Sequence, residues 1–126
     1  MKRSPAQLLA FAVFATASLI HHIHNAEFLA DYPNMPAWLT RIGVYAAWLG
    51  ATAVGVLGWW LRRRLLVALY ACYGLASLGH YAVAPLSAHT PTMHLTILFE
   101  IAAAAALLFV TFLPLQSPSG ATPRRR

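Results

Sequence analysis

Four runs of nearly uninterrupted apolar residues, each about 20 long, take up most of this 126-residue chain. A helix rises about 1.5 Å per residue, so about 20 residues match the ~30 Å hydrocarbon core of a bilayer. The runs lie at about 6–24, 42–61, 65–84 and 93–113, and no soluble domain fits between them. Only 10% of the residues are charged, where a soluble domain has roughly a quarter. The sequence therefore predicts an all-α fold: a polytopic membrane protein built as a four-transmembrane-helix bundle. That bundle is expected to fill residues 1–115 as a single domain, with a disordered basic tail over 116–126.

Local signals mark the ends of the runs. Ser4-Pro5 and Thr90-Pro91 each pair a side-chain cap with proline at the first helical position. Pro33 and Pro36 break the first loop, and Pro85 and Pro114 stop the third and fourth runs. Trp38 and Tyr45 at one end of the second run, with Trp59 and Trp60 at the other, match the aromatic belts of membrane interfaces. Ala102 to Ala106 is a small-residue stretch that permits close helix approach. Lys2-Arg3, the apolar stretch from Leu8 to Phe14 and Ala15-Thr16-Ala17 also resemble a signal peptide. Cleavage after Ala17 would leave three spans, but Leu19, Ile20 and Ile23 carry the apolar run onward and favour a retained first span.

The formal charge of +6 is distributed as a topology signal. With four spans, Lys2, Arg3, Arg62, Arg63, Arg64, Arg124, Arg125 and Arg126 fall on one side, and only Arg41 falls on the other. The positive-inside rule then predicts a multi-pass cell-membrane protein with both termini cytoplasmic (N-in/C-in). Cations clustered at span ends argue against nucleic-acid binding. The expected partners are the lipid bilayer and a membrane-protein partner or a second copy of the chain. The single cysteine, Cys72, cannot form an intrachain disulfide.

On this topology all six histidines fall in the non-cytoplasmic half. His21, His22 and His24 end the first span, His80 lies near the end of the third, His89 is in a loop, and His94 opens the fourth. Glu27 and Asp31 lie in the other outer loop. Glu100 lies about 10 Å below the outer end of the fourth span at ~1.5 Å per residue. A carboxylate at that depth costs several kcal/mol (~3 or more) if charged and unpaired, so it is expected to be protonated or paired.

Helical spacing assigns faces. His21 and His24 are three apart and neighbour each other, as do His24 and Glu27. Ala17, Ser18 and Asn25 share the His21 face, which is small and polar and so faces protein. His22 is rotated by about 100° and is expected among the lipid headgroups. Glu100 shares a stripe with Met93, Thr96, Ile97, Ala103, Ala104 and Leu107, and His94 lies off that stripe. His80 lies over Ala76 and Ser77, with Tyr73 two turns below.

The leading expectation is a His/Glu site at the outer leaflet that binds a divalent transition metal, zinc, iron or copper. Its ligands would come from His21, His24, Glu27, His80, His94 and Glu100, because imidazole and carboxylate together suit such ions. A b-type haem held by two facing histidines, such as His21 and His80, is a second cofactor reading. Covalent haem attachment is excluded, since the chain has no Cys-x-x-Cys-His. An alternative function is an intramembrane, isomerase-like proton-transfer enzyme acting on a hydrophobic substrate, with Glu100 as the candidate catalytic acid. In that reading Trp48 or Tyr73 would line an apolar pocket. A Ser-His-Asp hydrolase is not indicated, because no nucleophile elbow is present. A third reading is a non-catalytic accessory subunit, with histidine and glutamate serving as interhelical hydrogen-bond partners.

His24-Asn25-Ala26-Glu27 resembles the first-helix signature of the small four-helix HXXEE-type bacterial membrane proteins. Phe28 stands where that signature has a second glutamate. Ala76 stands where its third helix has an asparagine before the histidine matched by His80, and no asparagine follows His94 at the matching spacing.

Overall fold

The computed structural model describes residues 4–113; the proposed tail and the terminal cations lie outside them. Helix α1 spans Pro5–Glu27, α2 Arg41–Trp60, α3 Arg64–Leu75, α4 Gly79–Val83 and α5 Pro91–Phe112. Among the described residues there is no strand. A 3₁₀ turn at Ala76–Leu78 joins α3 to α4, and together they make one apolar span from Arg64 to Val83. The four spans are each long and apolar enough to cross a membrane, as the four runs predict. The first span continues about a turn beyond its expected end, through Glu27.

The helix starts follow from their capping residues. The Ser4 hydroxyl accepts the Gln7 backbone N–H while Gln7 Oε1 accepts the Ser4 N–H, a reciprocal capping box. Thr90 and Met93 form a second reciprocal cap at α5, while Thr40 caps α2 by accepting the Gly43 N–H alone. Thr90→Ala is expected to lower stability by about 1 kcal/mol, read as an earlier midpoint in detergent-unfolding titrations. Helix α2 ends with Arg63 N–H bonded to the Gly58 carbonyl and Arg62 N–H to the Trp59 carbonyl, a Schellman turn. Its left-handed position is held by Arg62 at φ 56°, where glycine is the usual residue.

Around the bundle α1 packs on α2, α2 on α3, α3 on α5, and α5 back on α1. Gln7 near the start of α1 donates through Nε2 to the Val110 carbonyl near the end of α5. These two helices are thus antiparallel, and both ends of the described chain lie at one end of the bundle. The other end carries the loops with Tyr32, Asn34 and His89. Asn34, at φ 57°, donates from Nδ2 to the Val83 carbonyl and fastens the first loop to the end of α4.

The core is built from small and aromatic residues. Phe14, Ala17, Val67, Tyr70, Ala71, Ala103, Ala104 and Leu107 form one cluster. Gly74 lets the Phe14 ring approach: a Cβ there would lie 2.3 Å from Phe14 Cε2. The distribution of polarity is inverted relative to a soluble protein. Ile42 is 79% exposed and Phe109 67% exposed, while Glu100 is fully buried. A continuous apolar outside of this kind needs lipid or protein to cover it.

Candidate functional site

One face of α5 carries the buried residues Met93, Thr96, Ile97, Glu100, Ala103, Ala104, Leu107 and Thr111, the stripe that helical spacing predicts. Glu100 is the only carboxylate on it, and it points into the loop-end half of the bundle. Ser77, on the 3₁₀ turn that interrupts the third span, donates its hydroxyl to Glu100 Oε2. The irregular turn thus places a donor where the carboxyl needs one, as interruptions in a helix often do at polar sites. From α1, His21 Nε2 lies 3.6 Å from Glu100 Oε2 and His22 Nδ1 lies 3.7 Å from Oε1. Ser18 Oγ and Glu100 Oε1 are both buried without a hydrogen-bond partner.

The hydrogen-bond network assigns the imidazole protons. His22 Nδ1–H donates to the Ser18 carbonyl at 2.8 Å. Its Nε2 is therefore the acceptor for the Tyr73 hydroxyl, also at 2.8 Å. The Thr96 hydroxyl donates to the Met93 carbonyl at 3.1 Å, so it accepts from His21 Nδ1–H at 3.4 Å. His21 Nε2 is left as an acceptor facing Glu100 Oε2, itself an acceptor. Two buried acceptors face each other stably only when one of them holds a proton. With this tautomer a proton on either His21 or Glu100 would relieve the two acceptors, which lie 3.6 Å apart.

Five of the six histidines form a continuous series of ring contacts. His22 meets His21 at 5.4 Å between centroids, His21 meets His80 at 5.3 Å, His80 meets His89 at 6.4 Å, and His89 meets His94 at 5.6 Å. Tyr32 links His24 to the series, with its hydroxyl 2.9 Å from His24 Nδ1 and its ring 5.2 Å from His80. Burial pushes the Tyr32 phenol from its ordinary 10.0 up to about 12. The neutral phenol is then favoured in the folded state, and its stabilising contribution is complete below pH 10 and lost between pH 10 and about 12. Replacing Tyr32 with Phe should remove one late phenol from the ultraviolet titration and flatten the loss of stability in that window.

The residues expected to form one ligand set are placed in four groups. His21 meets both Glu100 and His80. Glu27 instead lies at the surface, with Oε1 2.7 Å from Arg41 Nη2 and 2.7 Å from the Tyr45 hydroxyl that donates to it. This exposed contact ties α1 to α2 and is worth less than about 1 kcal/mol. His24 turns to Tyr32. His94 stays at the rim, accepting from the Tyr81 hydroxyl at 2.9 Å and donating to the Leu86 carbonyl at 3.2 Å. Among the described residues no group of three or more His, Cys, Asp or Glu side chains is arranged to hold a metal ion.

His22 departs from its expected place. It is buried, not among headgroups, because Tyr73 of α3 and Glu100 of α5 close over it. Spacing along α1 alone also gave no sign of Tyr32, which reaches the site from a proline-broken loop.

A cavity of about 170 Å³ adjoins this cluster, lined by His21, His22, Asn25, Tyr73, Ser77 and His80 among others. Tyr73 also lines an apolar groove of about 240 Å³ between α2 and α3. No family model, no curated protein and no solved structure matches the chain.

Proposed function

We propose that this protein is an intramembrane acid–base site, which moves a proton between the Glu100–His21 pair and a hydrophobic molecule admitted from the bilayer. The observation that supports it is a fully buried carboxyl whose Oε2 lies 3.6 Å from His21 Nε2 and whose Oε1 has no hydrogen-bond partner of normal geometry. A general acid must reach its substrate within hydrogen-bond distance, and Glu100 Oε1, beside Ser18 and His22, is the oxygen with no hydrogen bond of normal geometry. His21 would return the proton, with His80 and His89 leading toward the loop end. Tyr73 and His22 would hold the polar part of the substrate beside the carboxyl.

In the same proposal both termini are cytoplasmic and the site opens to the outer leaflet. The left-handed Arg62 supports this orientation. An arginine there costs about 1 kcal/mol over glycine, which a topology-setting charge would explain.

The test is to incubate protein-containing membranes in deuterated water, extract the apolar molecules and measure carbon-bound deuterium by mass spectrometry. Incorporation that requires His21 is expected. Absence of deuterium above protein-free membranes would overturn the proposal. So would one zinc, iron or copper per chain that is lost in Glu100→Gln, since it would give the site to metal binding.

A further inference from the structure

The two adjoining spaces that meet at Tyr73 differ sharply in chemistry. The first holds imidazoles, a phenol, a serine and an amide. Asn25 is 7% exposed, and its Oδ1 is buried with no hydrogen-bond partner. His80 makes ring contacts with His21, Tyr32 and His89 but no hydrogen bond among the described residues. An unpaired buried acceptor is unfavourable unless something donates to it. The second space is walled by Ala51, Val54, Leu69 and Tyr70, with Val54 and Leu69 facing outward, so it opens toward lipid.

We infer that the polar cavity beside Asn25 and the α2–α3 groove together bind a hydroxyl-headed, single-chain amphiphile. Asn25 Oδ1 accepts from the hydroxyl, an imidazole nitrogen of His80 donates to it or accepts from it, and the chain passes Tyr73 into the groove. The cavity's size limits the head: about 170 Å³ is the room of about five or six waters at ~30 Å³ each. The charge balance excludes an anionic head, because no Lys or Arg lines the cavity and Arg41 is paired with Glu27 at the surface. A phosphate or carboxylate would enter next to Glu100 without a counter-ion. The inference rests on the acid–base reading for what becomes of the hydroxyl, but binding itself does not require proton transfer.

Protein in nanodiscs would be photolysed with dodecan-1-ol carrying a diazirine in its chain, and labelled positions mapped by peptide mass spectrometry. Labelling should concentrate on 51–54 and 69–73 and fall at least fivefold in Asn25→Leu. Should Asn25→Leu not fold, Ala51→Phe, which fills the groove, must give the same fall. The matching dodecyl phosphate and dodecane probes should label these positions at least fivefold less than the alcohol. Labelling spread evenly over lipid-facing residues such as Leu95 and Leu98, or equal labelling by the phosphate, would overturn the inference. Glu100→Gln should keep the labelling pattern, so failure of the acid–base reading and failure of this binding site give different results.

Discussion

Glu100→Gln should cut carbon-bound deuterium incorporation by about a hundredfold to ten-thousandfold, the scale of a lost general acid, while the protein still folds. The two halves of this result have one cause. Glutamine is nearly isosteric; both contacts fall on Oε2, and an amide NH₂ placed there can donate to His21 Nε2 and to the Ser77 hydroxyl, which then accepts. The contacts at Glu100 are therefore reproduced without a transferable proton. Replacing a buried ionisable pair member by a neutral group that keeps the hydrogen bonds is often neutral or stabilising. Glu100→Lys should behave oppositely. It puts a cation at a fully buried position beside two imidazoles, and truncating or inverting a buried pair costs about 3–5 kcal/mol. Little folded protein should accumulate. Detergent-unfolding midpoints and deuterium incorporation, taken together on both variants, check this.

Gly74→Val should be the most damaging substitution outside the polar cluster. Its Cβ would meet Phe14 Cε2 at 2.3 Å, Phe14 Cζ at 2.6 Å and the Ala104 Cβ at 3.0 Å. The ring has little room to rotate, because Phe14 is fully buried and packed at 4.5 Å on Tyr70. Overpacking of this kind costs about 1–3 kcal/mol, and a branched side chain against a backbone-close ring sits at the upper end or beyond it. The consequence reaches the site. Phe14 lies one turn below Ser18 and two below His21 on the buried face of α1, so pushing the ring outward moves His21 away from Glu100. Gly74→Val should lower the unfolding midpoint and proton transfer together. The Phe14→Leu/Gly74→Val double variant should recover part of both, since leucine withdraws the colliding ring atoms.

The four spans were legible because each is a run long enough to cross a bilayer, and no other reading of such runs competes. The Glu100 stripe was legible because a 3.6-residue period places Thr96, Ile97, Ala103, Ala104 and Leu107 with it. What escaped depends on neighbours. His22 was placed by the angle it makes with His21, which says nothing about Tyr73 and Glu100 closing over that sector of α1. The 3₁₀ turn at Ala76–Leu78 carries no breaker residue, so nothing local announced that Ser77 would turn its hydroxyl onto Glu100. Glu27 was grouped with the cluster by its spacing from His24, and His94 by depth alone. Arg41 and Tyr45 claim the first, and Tyr81 the second.

The proton of the Glu100–His21 pair is the centre of the account, and ¹⁵N spectra of imidazole-labelled protein in nanodiscs test it most directly. The His21 ring resonances should change in Glu100→Gln, with Nε2 moving most and Nδ1, held to Thr96, moving little. His21 resonances identical in the two proteins would contradict it.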